Sequence, residues 1–204
     1  MKIRKQILLG FLFLAVMLTL TGIWSVYELR PFDKNIPKFF DDNYTSINAA
    51  KKMTEALERE DKTILLILSG GPEKGGAILN SAHQLFQAGY KMAENHLTVP
   101  GGQACLDDIK SKYIMYEKLL GQMVLPDKNE KDLDWYFKEV LKAFSEVKDS
   151  VEKLKTLNEK TMYETASSLK KKALSAMMPN IVAILSTLVF TVVLGAITHK
   201  KIDF

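Results

Sequence analysis

Disulfides, helix breakers and arginine are all scarce in this 204-residue chain. A single cysteine, Cys105, excludes an internal disulfide framework, so a folded domain must be held by its apolar core. Six prolines and eleven glycines gather at a few places, leaving long stretches in which nothing stops a helix. Strand patterning is missing, and the nearest candidate, Ile64 to Leu68, continues a helical stripe. The three histidines, His83, His96 and His199, are far apart, with no Cys, His or Glu partner at a metal-ligand spacing. Neither a metal nor another cofactor is therefore expected. Gly70-Gly71-Pro72-Glu73-Lys74-Gly75-Gly76 lacks the Gly-Lys-Ser/Thr ending of a phosphate loop, and the serines have no triad context. Nucleic acid is excluded as a partner because the lysines alternate with acids along helix faces.

Charge is absent from two long runs. Ile7 to Tyr27 and Ala173 to Thr198 contain no Asp, Glu, Lys or Arg, and each meets the roughly 20 residues a helix needs to cross hydrocarbon. The first is too long for a signal-peptide core, has no small-x-small site, and ends in Trp24 and Tyr27, residues suited to a membrane interface. Outside residues 28–172 the basic residues are Lys2, Arg4, Lys5, Lys200 and Lys201, set against Asp203 alone. Those six residues carry the whole net charge of +4. Positive flanks mark the cytoplasmic side, so both termini are expected in the cytoplasm and the middle on the far side of the membrane. Lys170, Lys171 and Lys172 depart from that rule.

The expected organisation is a cytoplasmic N-terminus (1–6), a first transmembrane helix (7–27), an extracytoplasmic domain (28–172), a second transmembrane helix (173–198) and a short cytoplasmic tail (199–204). Within the middle segment, turns are expected at Gly70–Gly76, Pro100–Gly102 and Gly121–Pro126, with Gly89 as a tolerated interior glycine. Three turns imply four helices. Apolar residues step by three and four along each, as in a left-handed bundle. The expected seams are Phe40, Tyr44, Ile47, Ala50, Met53, Leu57 and Ile64; then Ile78, Ala82, Leu85, Gly89, Met92 and His96; then Leu106, Ile109, Tyr113, Tyr116, Leu120 and Met123. The fourth, from Phe137 through Val140, Phe144, Val147, Val151 and Leu154, turns polar at Asn158, Thr161 and Thr165. Acids from Asp127 to Asp134 suit the start of that helix. Pro31 and Pro37 separate the first span from the bundle, whereas the fourth helix is expected to run on into the second span past Pro179. The fold class is all-α: an antiparallel up-down four-helix bundle between two transmembrane helices.

Three stretches carry a resemblance. Asn43-Tyr44-Thr45-Ser46-Ile47-Asn48-Ala49-Ala50 with Met53 and Ala56 to Asp61 resembles the first sensor helix of bacterial sensor histidine kinases. Glu94 to Gly101 resembles the turn joining their second and third helices, and Leu157-Asn158-Glu159-Lys160-Thr161-Met162 a stretch of their fourth. In this order the stretches resemble periplasmic four-helix-bundle sensor regions, close to the alginate-type sensor kinases and more distantly the chemotaxis receptors. The resemblance implies a homodimeric receptor module that detects a small molecule or protein outside the cell and relays it through the second span. It also implies a HAMP linker beginning at His199, and no catalytic residue in this chain itself.

Candidate ligand contacts are Arg59, whose planar fork suits a carboxylate or oxyanion, with Lys52 and Tyr44. The competing readings are a surface pair of Arg59 with Glu55 and a core role for Tyr44, Tyr113 and Tyr116. Asn158, Met162 and Pro179 are the candidates for transmitting the signal. Membrane lipids and a second copy of the chain are the expected partners. The alternative function is a membrane-anchored interaction scaffold or chemoreceptor sensor part without kinase output.

Overall fold

The computed structural model describes residues 2–29, 35–70, 75–123 and 132–202. Its elements are α1 (Lys2–Leu29), α2 (Asn35–Leu68), α3 (Gly75–Asn95), α4 (Gly102–Met123), α5 (Leu133–Trp135), a π-helical turn (Tyr136–Val140) and α6 (Leu141–Ile202). Strands are absent among the described residues. The expectations at Pro31, at Gly71 and Pro72, and over Val124–Lys131 lie outside them. The chain divides into two compact units, residues 35–164 and residues 1–34 with 165–204.

The first unit is the four-helix bundle, in which α2, α3, α4 and the start of α6 alternate in direction around one core. Pro37 sits in the first turn of α2, where its missing N–H costs nothing. Gly70 closes α2 at φ +93°, and Gly101 turns α3 into α4 at φ +80°, conformations that strain any residue with a Cβ. Gly75, Gly76 and Gly121, expected in turns, are instead helical. The helices α2 and α3 meet at close range around Gly89. A Cβ on Gly89 would lie 2.9 Å from Met53 Cγ and 3.0 Å from the Ala49 carbonyl oxygen. Gly89 is therefore required by packing rather than tolerated. Ala49, Ala50 and Ala56 on α2 and Ala82 and Ala93 on α3 continue this seam of small residues, all buried.

The α4 seam is as expected, with Leu106, Ile109, Tyr113 and Tyr116 buried and Leu120 partly so. Three other seams are corrected. On α3 the fully buried aromatic is Phe86, with Ala93 beside Gly89, while Ile78 is exposed. On α2, Tyr44 is exposed and Asn43, Ser46 and Glu60 are buried, so Tyr44 is no core aromatic. On the fourth helix Tyr136 is buried and Phe137 is 59% exposed. The π turn is the reason. The Leu141 N–H bonds the Tyr136 carbonyl five residues back, which adds a residue to the turn and shifts the face inward by one position. Beyond it Val140, Phe144, Val147, Val151, Leu154 and Asn158 are buried as expected. Asp132 caps the short α5, accepting from the Trp135 N–H at 3.0 Å.

In the other unit, α1 and the C-terminal part of α6 pair through the Phe13 and Phe190 rings, 5.7 Å between centroids, and through Asn180 Nδ2 donating to Ser25 Oγ at 2.9 Å. Here the large apolar side chains point outward; Phe11, Leu20, Val182 and Val189 are each more than half exposed. Thr19, Thr21, Thr187 and Thr191 donate to carbonyls four residues back, which hides their hydroxyls against the helix. Among the described residues, the helix containing α6 is long and apolar enough to cross a membrane, with mean hydropathy 2.0 over its best stretch; Gly10–Ser25 is a shorter apolar helix. Pro179 lies within α6, which continues on either side of it.

Candidate functional site

Polar groups enter the bundle core at its two ends. At the end where α2 begins and α3 finishes, Asn43 Nδ2 donates to Thr98 Oγ1 at 2.9 Å and His96 Nδ1 lies 2.8 Å from Asp42 Oδ1. These bonds hold the α3–α4 turn against α2. His96, expected on the inward seam of α3, is thus a part-exposed partner of a carboxylate. Asn43 Oδ1, Ser46 Oγ and Asn158 Oδ1 are buried here without a hydrogen-bond partner among the described residues.

The opposite end, where α2 finishes, holds ionisable groups. Glu60 is buried to 1% on α2, one turn after Ala56 and Leu57. Tyr113 of α4 donates its hydroxyl to Glu60 Oε1 at 2.8 Å, and its ring stacks on Phe86 at 3.6 Å between centroids. His83 of α3 completes the chain of contacts. Its Nδ1 lies 2.6 Å from Glu117 Oε1 and 3.1 Å from the Tyr113 oxygen, an arrangement in which a protonated Nδ1 donates to the carboxylate. Beside this chain opens a cleft of about 260 Å³, lined by Leu79, Asn80, Leu120 and Gly121 together with the four ionisable residues. Among the described residues neither Lys nor Arg lines it.

The electrostatics follow from burial. Loss of water raises the Glu60 carboxyl to about 7, the Tyr113 hydrogen bond pulls it back, and the Glu117 charge adds to the rise. Burial pushes the Tyr113 and Tyr116 phenols up, with the Glu60 charge adding to it, so both remain hydrogen-bond donors. Glu60 Oε2 and the Tyr116 hydroxyl are buried without a partner among the described residues. A buried, half-satisfied carboxylate beside a cleft is costly to the fold and chemically competent to bind a donor.

Other polar pairs stay on the flanks and staple helices. Lys112 bridges Asp108 and Ser150, each at 2.8 Å, joining α4 to α6 and holding Asp108 below the usual carboxylate range. Lys148 reaches Glu58 at 2.9 Å, and Tyr136 donates to Asp61 at 2.6 Å, both joining the fourth helix to α2.

The residues singled out from sequence do not converge. Arg59 is exposed and paired with Glu55 on its own helix, while Lys52 and Tyr44 are exposed further along α2. Residues 44 and 59 lie about 22 Å apart at helical rise, too far to grip one small ligand. Asn158 is fully buried, its Nδ2 donating to the Leu154 carbonyl; Met162 is partly buried and Pro179 exposed. Sequence reasoning missed the Glu60–Tyr113–His83–Glu117 cluster, whose signal was Glu60 in step with Met53 and Leu57 on the buried face of α2. Among the described residues no group of three His, Cys, Asp or Glu side chains could hold a metal ion.

Residues 1–173 match the model of a family described as a four helix bundle sensory module for signal transduction. The chain belongs to that family. No curated protein and no solved structure matches it. Membership makes this a sensory module for signal transduction, and the bundle of α2, α3, α4 and the start of α6 is the four-helix bundle that the description names.

Proposed function

We propose that this chain is the input and membrane part of a bitopic bacterial receptor that senses a stimulus outside the inner membrane and relays it inward to a histidine-kinase output. The observation that carries this reading is that one helix, α6, contributes both the buried bundle residues Val147, Val151 and Leu154 and the stretch apolar enough to cross a membrane. Outward-facing apolar side chains on α1 and α6 suit hydrocarbon rather than water, and threonines that bond their own helix suit it equally. In this reading both termini are cytoplasmic, two copies associate, and membrane lipid surrounds the apolar helices. Asn158, Met162 and Pro179 lie on the path of the displacement. A stimulus acts by its different affinity for two packings of the bundle, with a coupling of about 1–3 kcal/mol. Tyr44, Lys52 and Arg59 would then face a second copy or its ligand.

Helical phase provides the test. A kinase output is fused after Phe204, and one to four alanines are inserted after Lys172. Each residue turns everything beyond it by about 100°, so four return nearly to the starting phase. Output should oscillate with that period. A flat response to all four insertions removes the relay, and protease that leaves the bundle whole on spheroplasts removes the topology.

A further inference from the structure

We propose that the cleft over Glu60 binds a small primary ammonium carried on a short apolar body. The proposal deepens the sensory reading, for it names what the bundle would take up, and it rests on that reading only for its physiological meaning. The binding chemistry stands on the cleft.

Four observations give the ligand its character. Among the described residues the lining holds two carboxylates, Glu60 and Glu117, and no Lys or Arg, a charge that disfavours an anion. Glu117 has His83 as a partner, whereas Glu60 Oε2 is buried and has none among the described residues. A donor that meets that oxygen once the Glu60 carboxyl turns toward the cleft it lines satisfies a costly group, and a cationic donor does so about twice as strongly as a neutral one. Only one oxygen is free, which suits the point charge of an ammonium better than the two-pronged guanidinium. Leu79 and Leu120 supply an apolar wall beside Asn80 and Gly121, and about 260 Å³ admits a body of a few carbons. Metal ions are set aside by the absence of a three-ligand cluster among the described residues.

The protonation state gives an independent handle. The groups around Glu60 are Tyr113, Tyr116 and Glu117 of α4 and His83 of α3. Burial holds the carboxyl near 7, and an ammonium needs it ionised. Binding should therefore strengthen as pH rises through that value.

The experiment uses the full chain in lipid nanodiscs, titrated calorimetrically with n-butylammonium, with n-butanol as the neutral isostere and butyrate as the anion. Saturable binding of the ammonium alone, at millimolar concentration and weaker at pH 5.5 than at pH 8, is expected. Glu60→Gln should weaken it roughly tenfold or more. Because Glu60 is a core residue, a second variant guards the result. Gly121 lines the cleft and a Cβ there would meet nothing within 4 Å, so Gly121→Leu adds bulk at the cleft without a clash at its Cβ, and it should abolish binding. Lys155→Ala, on the fourth helix and outside the lining, should leave binding intact. No binding of butylammonium up to tens of millimolar, equal binding of butanol, or binding that survives Gly121→Leu overturns the proposal. Failure of the alanine-insertion series with binding intact removes the relay and leaves the site.

Discussion

The two ends of the bundle solve the same packing problem in opposite ways. Around Gly89 the helices α2 and α3 press together over alanines, and the buried polar groups are neutral: Asn43, Ser46 and Asn158. Around Glu60 the core is built from large rings, Phe86, Tyr113 and Tyr116, and admits a carboxyl beside an open cleft. Small residues bring backbones close and leave no room for a ligand. Bulky ones hold helices apart and leave gaps at their edges. The difference teaches that a bundle of uniform period need not be uniform along its length, and that a cleft belongs beside the large rings.

That contrast can be broken at several points, each read by thermal and denaturant melts of the full chain in detergent. The largest effect is expected at the π turn. Tyr136→Ala should cost about 3–4 kcal/mol, since it removes a buried ring and its bond to Asp61, whereas Phe137→Ala should stay within about 0.5. Equal costs would mean that the helix is regular and Phe137 faces in. At the tight end, Gly89→Leu forces a side chain into Met53 and the Ala49 carbonyl and should cost about 3 kcal/mol. A tolerated leucine would show that α2 and α3 do not meet there.

At the loose end the sign depends on pH. The Glu60 carboxyl is raised from 4.5 to about 7 on folding, so its contribution is full below 4.5 and is lost progressively as pH rises to 7. Glu60→Gln should thus be stabilising by up to about 3 kcal/mol at pH 8, relative to its effect at pH 4. An effect independent of pH would place the carboxyl in water. Gly121→Ala should stabilise by about 0.5–1 kcal/mol, the helix-propensity gain with no clash, opposite in sign to the change at Gly89. Smallest of all, Arg59→Ala should change stability by less than about 0.5 kcal/mol, because its pair with Glu55 is exposed.

Much of the fold was legible before any coordinates. Turn glycines and the three-and-four rhythm located four bundle helices, and the α4 seam from Leu106 to Tyr116 is buried as that rhythm implies. Errors came in single-residue steps. Phe137 was placed inside because the rhythm assumes a regular helix, and the π turn breaks it at Tyr136. Ile78 and Tyr44 were placed inside because apolar character alone cannot say which of two adjacent faces meets a neighbour. Of the cluster only the burial of Glu60 was legible, from its step with Met53 and Leu57. Glu60, His83 and Tyr113 come from three helices, and nothing local in any of them announces the other two.

Sequence alone determined that the chain is helical, that its middle forms a bundle and that its charge-free runs stand apart, because backbone hydrogen bonding and burial period are properties of neighbours three and four residues away. Tertiary structure decided which glycine is a contact and which an opening, which aromatic turns inward at the π turn, and that a carboxyl, a phenol and an imidazole meet beside one cleft. Those outcomes depend on the mutual rotation of packed helices, and a rotation of one residue, about 100°, exchanges core for surface while leaving the period unchanged.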